Sequence, residues 1–319
     1  MSGIADFAVR YPEGRVDVQS MHAASGVPVA DLLAITHTEG FPALGEGETG
    51  WELARDAARD LLDRTGVAPA DIRYVVYAGS TEADRPFWSP AAKVAHALGV
   101  TGAHCFEVGN FCNAGALALG LVGDRLDKEG QGLGLVLIGD RLSRLVDYTD
   151  PQAKALFNFG DAAAAALVVP GTTTFTLLHS QMRTDPSWSD YYYGEPTPDG
   201  VRIRRAAHRG GLADAYVENF AALLDRTLDA LSAKVGDIDH LLVNQGDQSM
   251  HRRLLDALGV PEERSVFNYS TLGHMGGADT LIALGQLREQ QRLRGGELIV
   301  LASSAMGFSW GITAWEYQR

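Results

Sequence analysis

The chain has 319 residues, 46% of them hydrophobic, enough for one large or two medium domains around a buried core. Forty Asp and Glu against 27 Lys and Arg leave a net charge of −13, which makes nucleic acid and anionic membranes poor partners. Only two cysteines occur, Cys105 and Cys112, which excludes a disulfide framework and a paired-cysteine zinc site.

The opening residues, MSGIADFAVRYPEGRV, carry charge and lack the apolar run of a signal peptide. The apolar stretches near 133–139 and 162–169 are far too short to cross a membrane, so a cytoplasmic protein is expected. Residues 10–50 read as loop-rich, with His37 and the glycines of GEGETG. Gly45, Gly47 and Gly50 spell GxGxxG, but no strand precedes them as a dinucleotide site requires. A turn before the helical run WELARDAARDLL fits better, with Thr49 or Glu48 as its cap.

From residue 72 the pattern becomes regular. IRYVVYAGS (72–80) reads as a buried strand, a helix ends in Leu98-Gly99-Val100, and Cys105–Val108 is a second strand. Cys112, the Ala/Leu-rich helix 113–126 and the strand 132–140 follow. Residues 180–215 are polar, aromatic and Arg-rich, which suggests a surface loop able to carry substrate contacts. The earlier order then returns. A strand lies at 238–247, a helix ends in Leu258-Gly259-Val260, and SVFNY (265–269) reads as a strand. His274, the helix 276–290 and the strand 295–304 complete the unit.

Cys112 falls 12 residues after Val100, and His274 falls 14 after Val260. The spacing predicts two duplicated βαβ-containing halves, 1–170 and 171–319, with the two helix entrances meeting across a pseudo-twofold axis. Near the C-terminus Gly307-Phe308-Ser309-Trp310-Gly311 matches GxSxG, but too few residues follow to supply the acid and histidine of a hydrolase. The nine histidines show no metal-ligand spacing, so no metal is expected.

Cys112 stands at a helix N-terminus, where free N–H groups favour a thiolate, and Gly109, Ala114 and Gly115 leave space beside it. Cys105, inside a strand, reads as a small hydrophobe. His274 sits among glycines in LGHMGGAD, and Asp279 follows five residues later, close enough to orient the ring. Together they form a candidate Cys–His–Asp triad.

The strings FEVGNFCNAG, LFNFGDAAAAALVV (156–169), GHMGGAD (273–279) and AMGFSWG (305–311) resemble those of the thiolase-fold β-ketoacyl-acyl carrier protein synthase III family, in order and spacing. The resemblance implies an α/β, five-layered α-β-α-β-α fold, a homodimer, and a Cys112 acylated from an acyl carrier protein or coenzyme A thioester, without a tightly bound cofactor. Condensing members carry His where this chain has Asn244, and Asn where it has His274. The departure resembles the family's Cys/Ser–His–Asp acyltransferases of secondary metabolism, which use a GHxxxxD string. It implies transfer to a hydroxyl or amine of a small-molecule, natural-product acceptor. Selection of a polyketide starter by decarboxylative condensation is the alternative. The resemblance also implies an oxyanion hole from the backbone N–H groups of Cys112 and Met306. It places Asn244 beside the substrate and sets Phe87 and Trp88 on a loop that reaches the neighbouring subunit's acyl pocket. An acidic carrier protein needs a basic landing site, for which Arg252, Arg253 and Arg205 are the candidates.

Overall fold

Branched apolar runs become strands and Ala/Leu-rich runs become helices, largely where the periodicity puts them. The computed structural model describes residues 1–207 and 209–318. Its first half runs β1 (Ser2–Arg10), β2 (Arg15–Asp17), α1 (Val18–Ser25), α2 (Val29–Thr36), β3 (Gly40–Pro42) and α3 (Gly50–Thr65). It continues with β4 (Ile72–Gly79), α4 (Pro90–Ala97), β5 (His104–Gly109), α5 (Ala114–Glu129), β6 (Leu133–Gly139) and β7 (Ala163–Pro170). The second half runs β8 (Phe175–Thr184), β9 (Tyr192–Thr197), β10 (Gly200–Arg205), α6 (Leu212–Leu231), β11 (Ile238–Val243) and α7 (Gln248–Leu258). It ends with α8 (Asp279–Glu289), β12 (Leu298–Ala305) and β13 (Ser309–Tyr317).

Nine strands form one sheet in the order β11-β12-β13-β8-β1-β7-β6-β4-β5. Read outward from the centre, β1-β7-β6-β4-β5 is mirrored by β8-β13-β12-β11. In each arm the inner pairings are antiparallel, and the pairs β4–β6 and β11–β12 are parallel. Among the described residues the arms join at two residue pairs, Gly3↔Thr176 and Ile4↔Phe175. The duplication read from spacing is therefore a repeat of topology.

Helices α3 and α4 cover one outer face, α6 and α7 the other, and α5 and α8 lie between the two arms. This is the α-β-α-β-α layering of the thiolase fold. Small residues make the central layer tight. A Cβ on Gly115 of α5 would lie 2.6 Å from the Ile138 side chain of β6. Ala163–Ala166 of β7 are fully buried, with helices against both faces. Among the described residues no helix is long and apolar enough to cross a membrane.

Four local expectations need correction. Residues 10–50 contain α1, α2 and the paired β2 and β3, not mainly loop. Thr49 occupies the N-cap position of α3, but neither its side chain nor that of Glu48 bonds the first turn's N–H groups. The Asp84 carboxylate accepts from the N–H groups of Gly50 (3.0 Å) and Trp51 (2.9 Å). Residues 265–269 form no strand, because side chains take the places of ladder partners. The Gln245 amide bonds Val266 O and Asn268 N, and Ser265 Oγ donates to Leu241 O at 2.6 Å. The segment 180–215 holds the hairpin β9–β10, in which Arg204 pairs across the strands with Glu195 and moors the hairpin to Asp147 and Asp150.

Candidate active site

The polypeptide reaches Cys112 through a strained step. Phe111 has φ +48°, a left-handed conformation unfavourable for an aromatic residue, and a single 3-10 turn over Phe111–Asn113 then leads into α5. The second half of the chain holds this turn in place. Ser303 Oγ at the end of β12 donates to Cys112 O at 3.0 Å, and Asn113 Nδ2 donates to Ser309 O at 3.0 Å.

His274 is fixed with equal economy. Its N–H donates to Asn158 O at 2.7 Å, and its carbonyl accepts from Gly160 N–H at 3.0 Å. The approach depends on glycine, since a Cβ on Gly273 would lie 2.2 Å from Asn158 O. The ring meets Phe159 edge-on, with centroids 5.2 Å apart. The strings LFNFGD and GHMGGAD, far apart in sequence, therefore build one another.

Cys112 Sγ lies 3.1 Å from His274 Nε2, and His274 Nδ1 lies 2.5 Å from Asp279 Oδ2. Asp279 also accepts from the backbone N–H groups of Gln245 (2.7 Å) and Met275 (2.9 Å). His274 is 4% exposed and Asp279 2%. With Nδ1–H directed to the carboxylate, Nε2 is left for the sulfur. Burial alone would push the imidazole toward its neutral form. The negative charges of Cys112 and Asp279 outweigh it and hold His274 well above its ordinary value.

A cavity of about 680 Å³ opens on the sulfur, with His274, Asn244, Met306 and Arg205 in its wall. Asn244 Nδ2 donates to Ser304 O at 3.2 Å and its Oδ1 accepts from Ser304 N–H at 3.1 Å. The amide therefore retains one N–H for the cavity. Tyr191, Tyr192, Tyr193 and Ile203, from the hairpin region, close the opposite side, so the polar 180–215 segment supplies lining residues.

Other expected residues lie elsewhere. Arg252 and Arg253 are exposed, and each already has an acidic partner, Glu262 at 3.3 Å and Asp214 respectively. Neither is an unpaired cation on the surface. Phe87 and Trp88 do not line the Cys112 cavity of their own chain. Phe87 is fully exposed at φ +51°, and Trp88 packs edge-on against Trp51 beside a second cavity of about 270 Å³. Sequence reasoning missed Ser303, which bonds the Cys112 carbonyl, Gln245, whose N–H bonds the Asp279 carboxylate, and Asn113, which moors the Cys112 turn to Ser309. Asn113 stands beside Cys112 in the sequence, but its partner Ser309, like Ser303 and Gln245, comes to the site only in the packed fold.

Residues 106–186 match the family pattern described as 3-oxoacyl-[acyl-carrier-protein (ACP)] synthase III, and residues 228–317 match its C-terminal counterpart. The β-ketoacyl-[acyl-carrier-protein] synthase III of Allorhizobium ampelinum is 30% identical over 285 residues, 84% of each chain. This chain belongs to the 3-oxoacyl-[acyl-carrier-protein] synthase III family. It is an enzyme of that acyl-transferring, condensing group. The crystal structure of the Aquifex aeolicus synthase III superposes with a TM-score of 0.89, covering 99% of this chain and all of that one at 21% identity. The priming β-ketosynthase of the R1128 polyketide pathway superposes at 0.88, covering 100% and 96% at 20% identity. At these identities the two structures establish the shared thiolase-type fold.

Proposed function

We propose that this synthase III relative is an acyltransferase. It moves an acyl group from a carrier-protein or coenzyme A thioester, through a Cys112 acyl-enzyme, to a hydroxyl or amine of a natural-product acceptor. The observation that carries the reading is the continuous chain Sγ–Nε2, Nδ1–Oδ2 in a buried cavity wall. Decarboxylative condensation makes its carbanion by losing CO2 and needs hydrogen-bond donors for an enolate. Transfer to O–H or N–H needs a base, which a carboxylate-oriented histidine supplies for roughly 10²–10⁴-fold in rate.

The steps balance as follows. The Cys112 thiolate attacks the thioester carbonyl while the backbone N–H groups of Cys112 and Met306 receive the oxyanion. The carbon–sulfur bond to the carrier breaks, and the departing thiolate takes the His274 proton. Acylation removes the Cys112 charge, one of the two that kept the proton on the ring, so His274 becomes a competent base. The acceptor's O–H or N–H then gives its proton to Nε2 as oxygen or nitrogen attacks the acyl carbon. Cys112 leaves as thiolate and the ion pair is restored.

Condensation is the second reading. The relatives' names favour it, and so does the single N–H that Asn244 keeps for the cavity. One experiment separates the two. The enzyme is loaded from a thioester panel, read by intact mass, then given either a malonyl thioester or a set of alcohols and amines. CO2 release with chain extension supports condensation, whereas an acylated acceptor without CO2 supports transfer.

The carrier would dock near Arg205, which reaches the cavity, with Arg252 and Arg253 contributing only as they exchange their present acidic partners. No tightly bound cofactor is required by either step. A homodimer is favoured by β5, an edge strand of the sheet, and by the bare Phe87 side chain, two residues before Ser89, which bonds Glu107 of β5.

A further inference from the structure

Asp140 directly follows β6 and is 5% exposed in the wall of the Cys112 cavity. Its Oδ1 accepts from the backbone N–H of Ser80, at 2.6 Å, in the loop after β4. Its Oδ2 faces the Gly276–Gly277 turn just past His274, and among the described residues no donor reaches that oxygen with normal hydrogen-bond geometry. Glycine on both sides makes the room. A Cβ at Gly79 would lie 2.8 Å from Oδ1, and one at Gly276 would lie 2.7 Å from Oδ2. Gly276 also has φ +62°. The same turn touches the nucleophile, since a Cβ on Gly277 would lie 3.3 Å from Cys112 O.

An under-bonded carboxylate oxygen in the interior is destabilising, and an apolar side chain here would be the more stable choice. Burial pushes the Asp140 carboxyl above the ordinary carboxylate range, while Ser80, the Gly277 N–H and the positive charge of His274 favour its ionised form. The triad as described makes no use of this group, yet it adjoins both halves of it.

We propose that Asp140 is a positioning residue for the Cys112–His274 pair: its carboxylate holds the Ser80 loop through Oδ1, packs Oδ2 against the turn that follows His274, and places a second negative charge, beside Asp279, toward the imidazolium. This rests on the Cys–His reading of the site. The other groups on the surrounding elements are Tyr77 of β4, Asp84 of the loop after it, and Arg141, whose Nε donates to Glu82 O. Tyr11 and Tyr269 lie on the Asp279 side.

The test is the rate of Cys112 alkylation by iodoacetate across pH in the full chain, whose alkaline limb reports loss of the imidazolium proton. In Asp140→Asn the limb should move to lower pH by about one unit, the shift ordinary for a lost charge neighbour. Asp140→Ser, which removes the charge but keeps an acceptor for Ser80, should move it likewise and serves if the amide variant does not fold. A folded variant whose limb stays in place, even with a lowered thermal midpoint, reduces Asp140 to a packing role and overturns the proposal. If wild type and His274→Ala give the same profile, the Cys–His reading itself is what fails.

Discussion

Asp279→Asn tests the orientation of the base. The wild-type carboxylate accepts three hydrogen bonds, from His274 Nδ1 and from the N–H groups of Gln245 and Met275, at 2% exposure. An amide offers one accepting oxygen, and its NH2 must face either the ring N–H or a backbone N–H. The shape of the site is kept, and the ring can shed its proton, so the loss is that of one charge-assisted hydrogen bond, about 1.5–3 kcal/mol. At about 1.4 kcal/mol per decade, acyl discharge should slow roughly ten- to hundredfold. The assay loads Cys112 in a single turnover and follows disappearance of the acyl mass after acceptor is added. Discharge within threefold of wild type would refute the argument. Stability supplies a second readout. His274 sits above its ordinary value when folded, so its stabilisation is complete below about pH 6.5 and fades as pH rises through the folded value. The stability gap between wild type and Asp279→Asn should accordingly be widest at acid-to-neutral pH and narrow under alkaline conditions.

Cys112→Ala should abolish the acyl adduct seen by intact mass, and an adduct that persists would place the nucleophile elsewhere. His274→Ala should slow loading as well as discharge, because Nε2 bonds the sulfur directly; unchanged loading would show that the pair is not formed in solution. Gly273→Ala drives a methyl to 2.2 Å from Asn158 O, so a loss of about 1–3 kcal/mol in denaturant unfolding is expected, of the order seen for forced overpacking. An unfolding free energy within about 0.5 kcal/mol of wild type would contradict that packing. Arg204→Ala frees the β9–β10 hairpin from the two carboxylates of Asp147 and Asp150 and should raise KM with little change in kcat, and steady-state kinetics showing the reverse would remove the hairpin from substrate binding.

The fold was readable where chemistry repeats. The pairs Leu98-Gly99-Val100 and Leu258-Gly259-Val260 end equivalent helices, and Gly99 (φ +76°) and Gly259 (φ +69°) take the left-handed conformation that such ends require. Cys112, His274 and Asp279 stood out because each is a reactive type at a helix entrance. What escaped notice depends on side chains that replace backbone bonds. Gln245 and Ser265 satisfy the segment expected to be a strand, and Asp84, from a loop 33 or 34 residues away, caps α3. The docking arginines show a different limit. Their charge is plain in the sequence, but Glu262 and Asp214, which occupy them, become neighbours only after folding.

Each arm of the sheet reaches across to steady the other's reactive turn: Ser303, near the end of β12, grips the Cys112 carbonyl, and Asp140, just past β6, abuts the glycines after His274. The reactive centre is thus a seam, stitched from both banks. Prying the banks apart by even an ångström would disarm sulfur and ring together, so chemical competence should vanish at milder denaturant than helical content, and the enzyme would report its own integrity.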